Sequence, residues 1–555
     1  MGNCITLSST AGDASIGSKA LPIETTFKLP APLPTWPPGS GFGCGVIDLG
    51  GLKVRRLSTF KKVWAAYEGD PDNLGATFFE PSAIPNGFFM LGGYSQPNNK
   101  PLNGWVLVAK DGAEALKRPT DYTLLWSSES LKIKQDGVSY FWLPVPPEGY
   151  RPVGLVVTVS PEKPSMDRIR CVRSDLTDQC EVDTSIWGPT DSAKFSVSSL
   201  RPQNRGTQAL GVSVGTFVAQ VNGGNGSSIP ISCLKNNSPN YTSCMPNMSQ
   251  VGALVRAYSP LYYFHPKEKY LPSSVSWFFS NGALLYKKGE ESKPVPIEPM
   301  GLNLPQGGSN DGAYWLDLPV DEVDKERVKK GDLPSSRAYF HIKPMYGATF
   351  TDIAIWLFYP FNGPSTAKVG IINVPLGKIG EHVGDWEHVT LRISNFNGEL
   401  WRVFYAQHSG GTWVDVSELE FQGTSNRFVA YSSLNGHASY PKPGLVMQGT
   451  ATIGIRNDTS KSSLTMDTSA SYSIVAADYP AGASVSSPPW LNYMRKWGPK
   501  ISYDTAEEAR KVASVLPGEL KSAFESLMKS LPSEVFGEEG PTGPKVKSSW
   551  SGDEV

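Results

Sequence analysis

The ten residues Gly380–Val389, "GEHVGDWEHV", hold two histidines and three carboxylates in a chain that is only 19% charged. The cluster runs straight into an apolar alternation at Val389, Leu391 and Ile393. Side chains of a strand alternate faces, so Asp385 and Glu387 share the face that continues into the core. Burying unpaired charge is costly, and two core-facing carboxylates must therefore be paired or bound to something. His382 sits in the preceding glycine-containing loop, which can fold back on them. A His, an Asp and a Glu at a strand mouth suit a divalent cation, Ca²⁺, Mg²⁺ or Mn²⁺, with water in the remaining positions. His388 points the other way and is assigned to solvent or to stacking beside Trp386. Without an ion, Asp385 and Glu387 would pair with Arg392, Lys368 or Lys378.

All six histidines of the chain fall between residues 265 and 437. Imidazole is the usual acid/base and metal-binding group, so any chemistry belongs to this half. His265 and His437 are each either structural residues at strand ends or a surrounding layer for the ion. A metal-dependent hydrolase, with His408 or His437 as general base, is the enzymatic alternative. The sequence carries no nucleophile elbow, P-loop or HExxH pattern to support it.

These residues need a scaffold, and the composition describes one. The chain has 555 residues, with 51 Lys+Arg against 52 Asp+Glu, which removes the electrostatic reason to expect a nucleic-acid partner. Abundant Gly, Pro and aromatic residues point to a mainly β fold of short strands. No apolar run reaches the roughly eighteen residues of a membrane span; "IAIWLFYPF" (353–361) reads as a buried strand. The start, "MGNCIT", fits the N-myristoylation pattern at Gly2, with Cys4 placed for palmitoylation. Two acyl groups make anchoring stable, so the expected site of action is the cytoplasmic face of a membrane. In that compartment Cys171, Cys180, Cys233 and Cys244 are expected to be free thiols, and the sequons at Asn225, Asn236, Asn240, Asn247 and Asn457 unused.

The chain divides into an acylated flexible tether (1–40), an N-terminal β domain (41–200), a Gly/Asn/Ser-rich linker (201–250), a β-sandwich (251–500), a helical cap (501–535) and a disordered tail (536–555). Within 41–200, "FEPSAIPNGFFMLGG" and "FWLPVPPEGYRPVGL" align without a gap, matching Pro85 with Pro147, Gly87 with Gly149 and Gly92 with Gly154. They read as two copies of one β unit around a Pro-x-Gly turn. In the cap, Thr505 and Glu508 form a capping box, and Leu520, Phe524, Leu527, Met528 and Leu531 recur at helical spacing.

The stretch H-x-x-D-W-E before an apolar strand resembles the heptapeptide of the necrosis- and ethylene-inducing-like proteins, metal-dependent cytolysins built as a β-sandwich. The resemblance implies metal-binding roles for His382, Asp385 and Glu387. It adds Asn362, at the end of "WLFYPFN", where that family has a metal-binding Asp, and His408 in "YAQHSGGTW". Glu381, Val383 and Gly384 depart from the heptapeptide, and Asn362 offers a neutral oxygen in place of a carboxylate. Toxin activity is not carried over. A longer resemblance, through "YSPLYYFHPKEKYLPSSVSWFF", "GDWEHVTLRI", "YAQHSGGTW" and "NGHASYPKPG", is to plant members of the vacuolar protein sorting-associated protein 62 family. The Pro-x-Gly repeats are similar to segments of lipid-transfer proteins of the vacuolar sorting 13 type. Together these imply a membrane-associated protein with lipid or trafficking-protein partners, a metal-free interaction scaffold being the other reading.

Overall fold

Aromatic pairing organises the first half of the fold. The computed structural model describes residues 22–39, 41–190, 195–221, 229–408, 410–450, 452–480, 484–501, 503–514, 516–530 and 540–555; Gly2 and Cys4 lie outside them. Three antiparallel three-stranded sheets form here. The first joins Phe60–Ala66, Ala76–Pro81 and Tyr94–Pro97; the second joins Asp121–Ser127, Tyr140–Val145 and Val156–Thr158. The third joins Cys180–Trp187, Phe195–Pro202 and Phe217–Val221. Each contributes a Trp–Phe pair to one shared core: Trp64 with Phe78, Trp126 with Phe141, and Trp187 with Phe195, at 5.4, 5.5 and 5.9 Å between ring centroids.

The unit read twice in the sequence therefore occurs three times. The matched glycines meet back to back: a Cβ on Gly92 would lie 2.7 Å from Gly154 Cα and 2.6 Å from Thr216 Cγ2. Thr216 and Gly211 stand at the offset that relates Gly92 to Gly154 and Gly87 to Gly149. Ala209 replaces the turn proline and Thr216 the close-packed glycine, which hid the third copy. Its extent corrects two boundaries, at 200 and over 201–250: Gly211–Val212, Phe217–Val221 and Cys233–Lys235 are strands, and Met248–Tyr258 is a helix. The Asn and Ser content that reads as a linker does structural work instead. Asn236 is buried and donates to Gly347 O at 2.7 Å, and Asn247 caps the helix with Gln250. Neither side chain is placed for a glycan.

In the second half, a six-stranded sheet runs in the order Gly410–Asp415, Leu400–Gln407, His382–Ser394, Phe350–Asn362, Ala338–Met345, Tyr472–Ala477. One face packs Ile355, Leu357, Val389 and Leu391 against the smaller sheet containing Leu261–Phe264 and Val429–Ser432. The other face packs Trp356, Phe358 and Trp386 against Phe278, Trp490 and Trp497. Burial on both faces is why Phe350–Asn362 reads as a continuous apolar run. The helices Thr505–Ser514 and Gly518–Ser530 set Val512, Phe524 and Leu527 against Ala367 and Ile455, on the inner strands of a separate four-stranded sheet. Asp504, not Thr505, caps the first of them, accepting from Glu507 N at 2.9 Å.

The described parts of both chain ends are docked, which corrects the flexible tether and the disordered tail. At the front, Trp36 Nε1 donates to Asn397 O and Ala31 N to Asn426 Oδ1. At the back, residues 540–555 cross the outer face of the six-stranded sheet. Arg392, fully buried, donates to both Asp352 oxygens at 2.8 and 2.7 Å and to Asp553 at 2.5 Å. Asp553 also pairs with Arg205 of the third repeat at 2.9 Å. Glu554 accepts from Thr390 Oγ1 at 2.7 Å and lies 3.2 Å from His388 Nε2. Burial opposes the Glu554 charge, but His388 and Lys343 outweigh it and hold the carboxyl below the ordinary range. His388, stacked 4.0 Å from Trp356, is thus inside the protein and not at its surface.

Removing one partner of a buried ion pair strands the other charge. Asp553→Ala is expected to lower unfolding stability by about 3 kcal/mol, measured by denaturant titration. A loss under roughly 0.5 kcal/mol, the range of ordinary surface substitutions, would show that the C-terminal segment does not hold Arg392 in solution.

Candidate functional site

The central strand His382–Ser394 carries the site on the face that it turns to the smaller sheet. Its register against Phe350–Asn362 sets Asp385 opposite Tyr359, Glu387 opposite Leu357 and His382 opposite Asn362. Asp385 and Glu387 share the face of Val389, Leu391 and Ile393, as the alternation requires, and each is only 8% exposed. Gly384, at φ +66°, interrupts the strand just before them, and the Trp497 carbonyl leaves no room there for a side chain. Arg392 is on the opposite face and engaged with Asp352 and Asp553, so it does not neutralise this pair.

His437 completes the cluster. It lies in the loop between Val429–Ser432 and Ser439–Tyr440, in the left-handed region at φ +56°, a conformation that surrounding structure must hold in place. Its ring stacks on Tyr359, 3.9 Å between centroids and 7° from parallel. Nδ1 donates to Asp385 Oδ2 at 2.9 Å. Nε2 is fully buried, without a hydrogen-bond partner among the described residues and 3.9 Å from Glu268 Oε2. Glu268 is held by backbone N–H groups, Oε1 accepting from Lys269 and Tyr270 and Oε2 from Asn435.

The electrostatics separate the two strand carboxylates. Burial raises Asp385, but the His437 hydrogen bond leads the interactions that outweigh it and hold the group below its ordinary value. Burial and then the Asp385 charge push Glu387 well above the carboxylate range, with Lys547 offsetting part of this. Burial lowers His382, which therefore stands as a neutral imidazole. Its Nδ1 donates to Gly384 O at 2.8 Å, leaving Nε2 as the lone-pair nitrogen.

The remaining expected residues divide. Asn362 abuts His382 but turns its amide to Gly380 O at 2.7 Å. His408, at φ +57°, donates through Nε2 to Asn457 Oδ1 at 3.2 Å. His265 serves its own turn, Nδ1 accepting from Lys267 N at 3.2 Å. Glu268 was missed: it lies three residues after His265 in "HPKEKY", a lysine-flanked glutamate with no apolar pattern around it to indicate burial. Among the described residues no group of three or more His, Cys, Asp and Glu side chains is arranged as it stands to hold a metal ion. What the site brings together is two carboxylates on one strand face, a third carboxylate beyond them, and the rings of His437 and His382.

The model of the vacuolar protein sorting-associated protein 62 family matches residues 23–554. Vacuolar protein sorting-associated protein 62 of Saccharomyces cerevisiae is 26% identical over 183 residues, which are 29% of this chain and 37% of the yeast protein. The match thus spans little more than a third of that relative. Among solved structures, GNIP1Aa from Chromobacterium piscinae is 21% identical, covering 37% of this chain and 40% of its own, at a TM-score of 0.25. The non-toxic HaNLP3 protein is 15% identical, covering 38% and 74%, at a TM-score of 0.21. Necrosis and Ethylene inducing Protein 2 from the causal agent of cocoa's Witches Broom disease is 11% identical, covering 34% and 67%, at a TM-score of 0.19.

A carboxyl whose folded value is raised holds a proton that the unfolded chain has released, so its burial costs stability as pH rises above its ordinary 4.5. With chelator present, Glu387→Gln is expected to melt at a higher temperature than wild type at pH 8, the two converging near pH 4. Parallel melting curves at both pH values would mean that Glu387 is not buried as a strained acid.

Proposed function

The chain belongs to the vacuolar protein sorting-associated protein 62 family, and from that membership we propose a peripheral membrane protein of vacuolar sorting. In this reading, acyl groups on Gly2 and Cys4 hold it on the cytoplasmic face of a membrane. The cluster of Asp385, Glu387, His437, His382 and Glu268 takes a divalent cation, and through it recognises a lipid headgroup or a trafficking partner. Among the described residues, no helix is long and apolar enough to cross a membrane.

One observation carries the cation. Two carboxylates lie buried side by side, and neither is hydrogen-bonded to a lysine or arginine among the described residues, while the arginine of the same strand is engaged on the other face. A bound cation supplies the missing counter-charge and returns Glu387 to its ionised form. Asp385, oriented by His437, and Glu387 on the rigid central strand would hold it. Glu268 and the free His437 nitrogen face each other across the remaining gap. Asn362 and His408 are the other donors that this reading includes. In this reading the ion serves recognition.

Purified protein, measured by metal mass spectrometry, is expected to carry Ca²⁺, Mg²⁺ or Mn²⁺ near one per chain, and Asp385→Ala to lose it. An ion-free wild type, even after incubation with cations, would leave the metal-free scaffold standing. Independently, Gly2→Ala is expected to move the protein from the membrane fraction to the soluble fraction; unchanged partitioning would remove the acyl anchor.

A further inference from the structure

Two cysteines remote in the chain, Cys180 and Cys233, meet where the third repeat passes from one sheet to the next. Thr177–Asp178 pairs antiparallel with Cys233–Lys235, which sets Asp178 directly opposite Cys233. Two residues on, Cys180 opens the following strand opposite Pro202. Residues two apart share a face, so Cys180 and Cys233 are diagonal neighbours on one side of the ladder. The Cys180 side chain turns across that ladder, its Sγ donating to Ile231 O at 3.1 Å. The Cys233 thiol lies within hydrogen-bonding reach of the same sulfur.

The two thiols are placed for different tasks. Cys180 is partly exposed and Cys233 is buried. The hydrogen bond from Cys233 leads the causes that hold the Cys180 thiol below its ordinary value, against burial and the Asp178 charge. Burial, then the Cys180 contact, pushes Cys233 well above it. An accessible sulfur that ionises readily, beside a covered one that does not, is the pairing of an attacking with a resolving cysteine. Cys171 and Cys244 lack the first of these properties. Both are buried, and burial pushes each thiol up to about 12. Cys244 also donates to Ala348 O at 2.8 Å.

We propose that Cys180 and Cys233 form a peroxide-reactive site that closes into a disulfide within the third repeat. The Cys180 thiolate attacks one oxygen of hydrogen peroxide, and the O–O bond breaks. The sulfur is oxidised to a sulfenic acid, and the departing hydroxide takes up a proton as water. The Cys233 sulfur then attacks the sulfenyl sulfur; the S–S bond forms as the S–O bond breaks, and the hydroxyl leaves with the Cys233 proton as a second water. Two thiols lose two electrons and two protons, and one peroxide becomes two waters. In a reducing compartment the pair rests as thiols. The bond would fasten the start of Cys180–Trp187 to the strand that leads into Asn236, whose amide holds Gly347 of the second half. The site is independent of the cation cluster and of the acyl anchor.

The full chain, reduced and then exposed to a small excess of hydrogen peroxide under native conditions, tests this by alkylation, peptide mapping and intact mass. A peptide joining Cys180 to Cys233 is expected, with the loss of two hydrogens and full reversal by dithiothreitol. Cys233→Ala removes the resolving thiol and is expected to stop at a sulfenic acid on Cys180, trapped by dimedone. Cys180→Ser is expected to leave Cys233 unmodified. The wild-type map decides the matter even where a variant fails to fold. A native protein that keeps both thiols reduced, or joins either to a different cysteine, would overturn the proposal. So would a Cys180→Ser protein whose Cys233 is oxidised as fast as in wild type.

Discussion

The ion pair at Arg392 is the constraint around which the molecule is arranged. A guanidinium removed from water needs counter-charge, and here Asp352 takes the Nε and Nη2 donors bidentately while Asp553 shares Nη2. Tyr346 and Trp413 stack on its faces at 4.6 and 4.3 Å. The charge thereby ties together the central strand, its neighbour, the C-terminal segment and, through Arg205 on Asp553, the third repeat. Apolar contact alone would hold these parts against each other; the directional pair also decides how they meet.

The same strand separates two kinds of electrostatics by its pleat. Residues 388, 390 and 392 face the C-terminal segment, where every charge is answered by its opposite. Asp385 and Glu387, on the other side, are not. That difference gives the site its meaning. On one face a buried arginine meets two carboxylates, and on the other two carboxylates meet one imidazole, His437, and no hydrogen-bonded lysine or arginine among the described residues.

Much of this was readable before any coordinates. The alternation after Glu387 identified the face of both acids, and the apolar run at 353–361 identified a covered strand. What escaped the reading shares one physical cause, contact between residues remote in sequence. Asp553 and Glu554 look like a solvated acidic end because their basic partners lie about 160 to 350 positions earlier. Glu268 looks like part of a charged turn because its partners are backbone N–H groups and His437, which no side-chain pattern displays. The third repeat escaped because Thr216 fills by its own methyl the space that two glycines leave, so the same packing is reached with different letters. Arg392 was offered to Asp385 and Glu387 as a neighbour in the chain, whereas odd and even positions of one strand cannot meet.

The docked C-terminal segment also orders events during synthesis. Arg392 precedes Asp553 by 161 residues. At the roughly 5–20 residues per second of translation, the central strand emerges many seconds before its acid partner. During that interval the sheet holds an arginine only half matched and an outer face without its cover. The closing contacts are among the longest-range in the chain, and such contacts form late. A nascent chain of this protein is therefore a different electrostatic object from the finished one, and a chaperone that shields a basic, aromatic-flanked sheet face has a defined window in which to act.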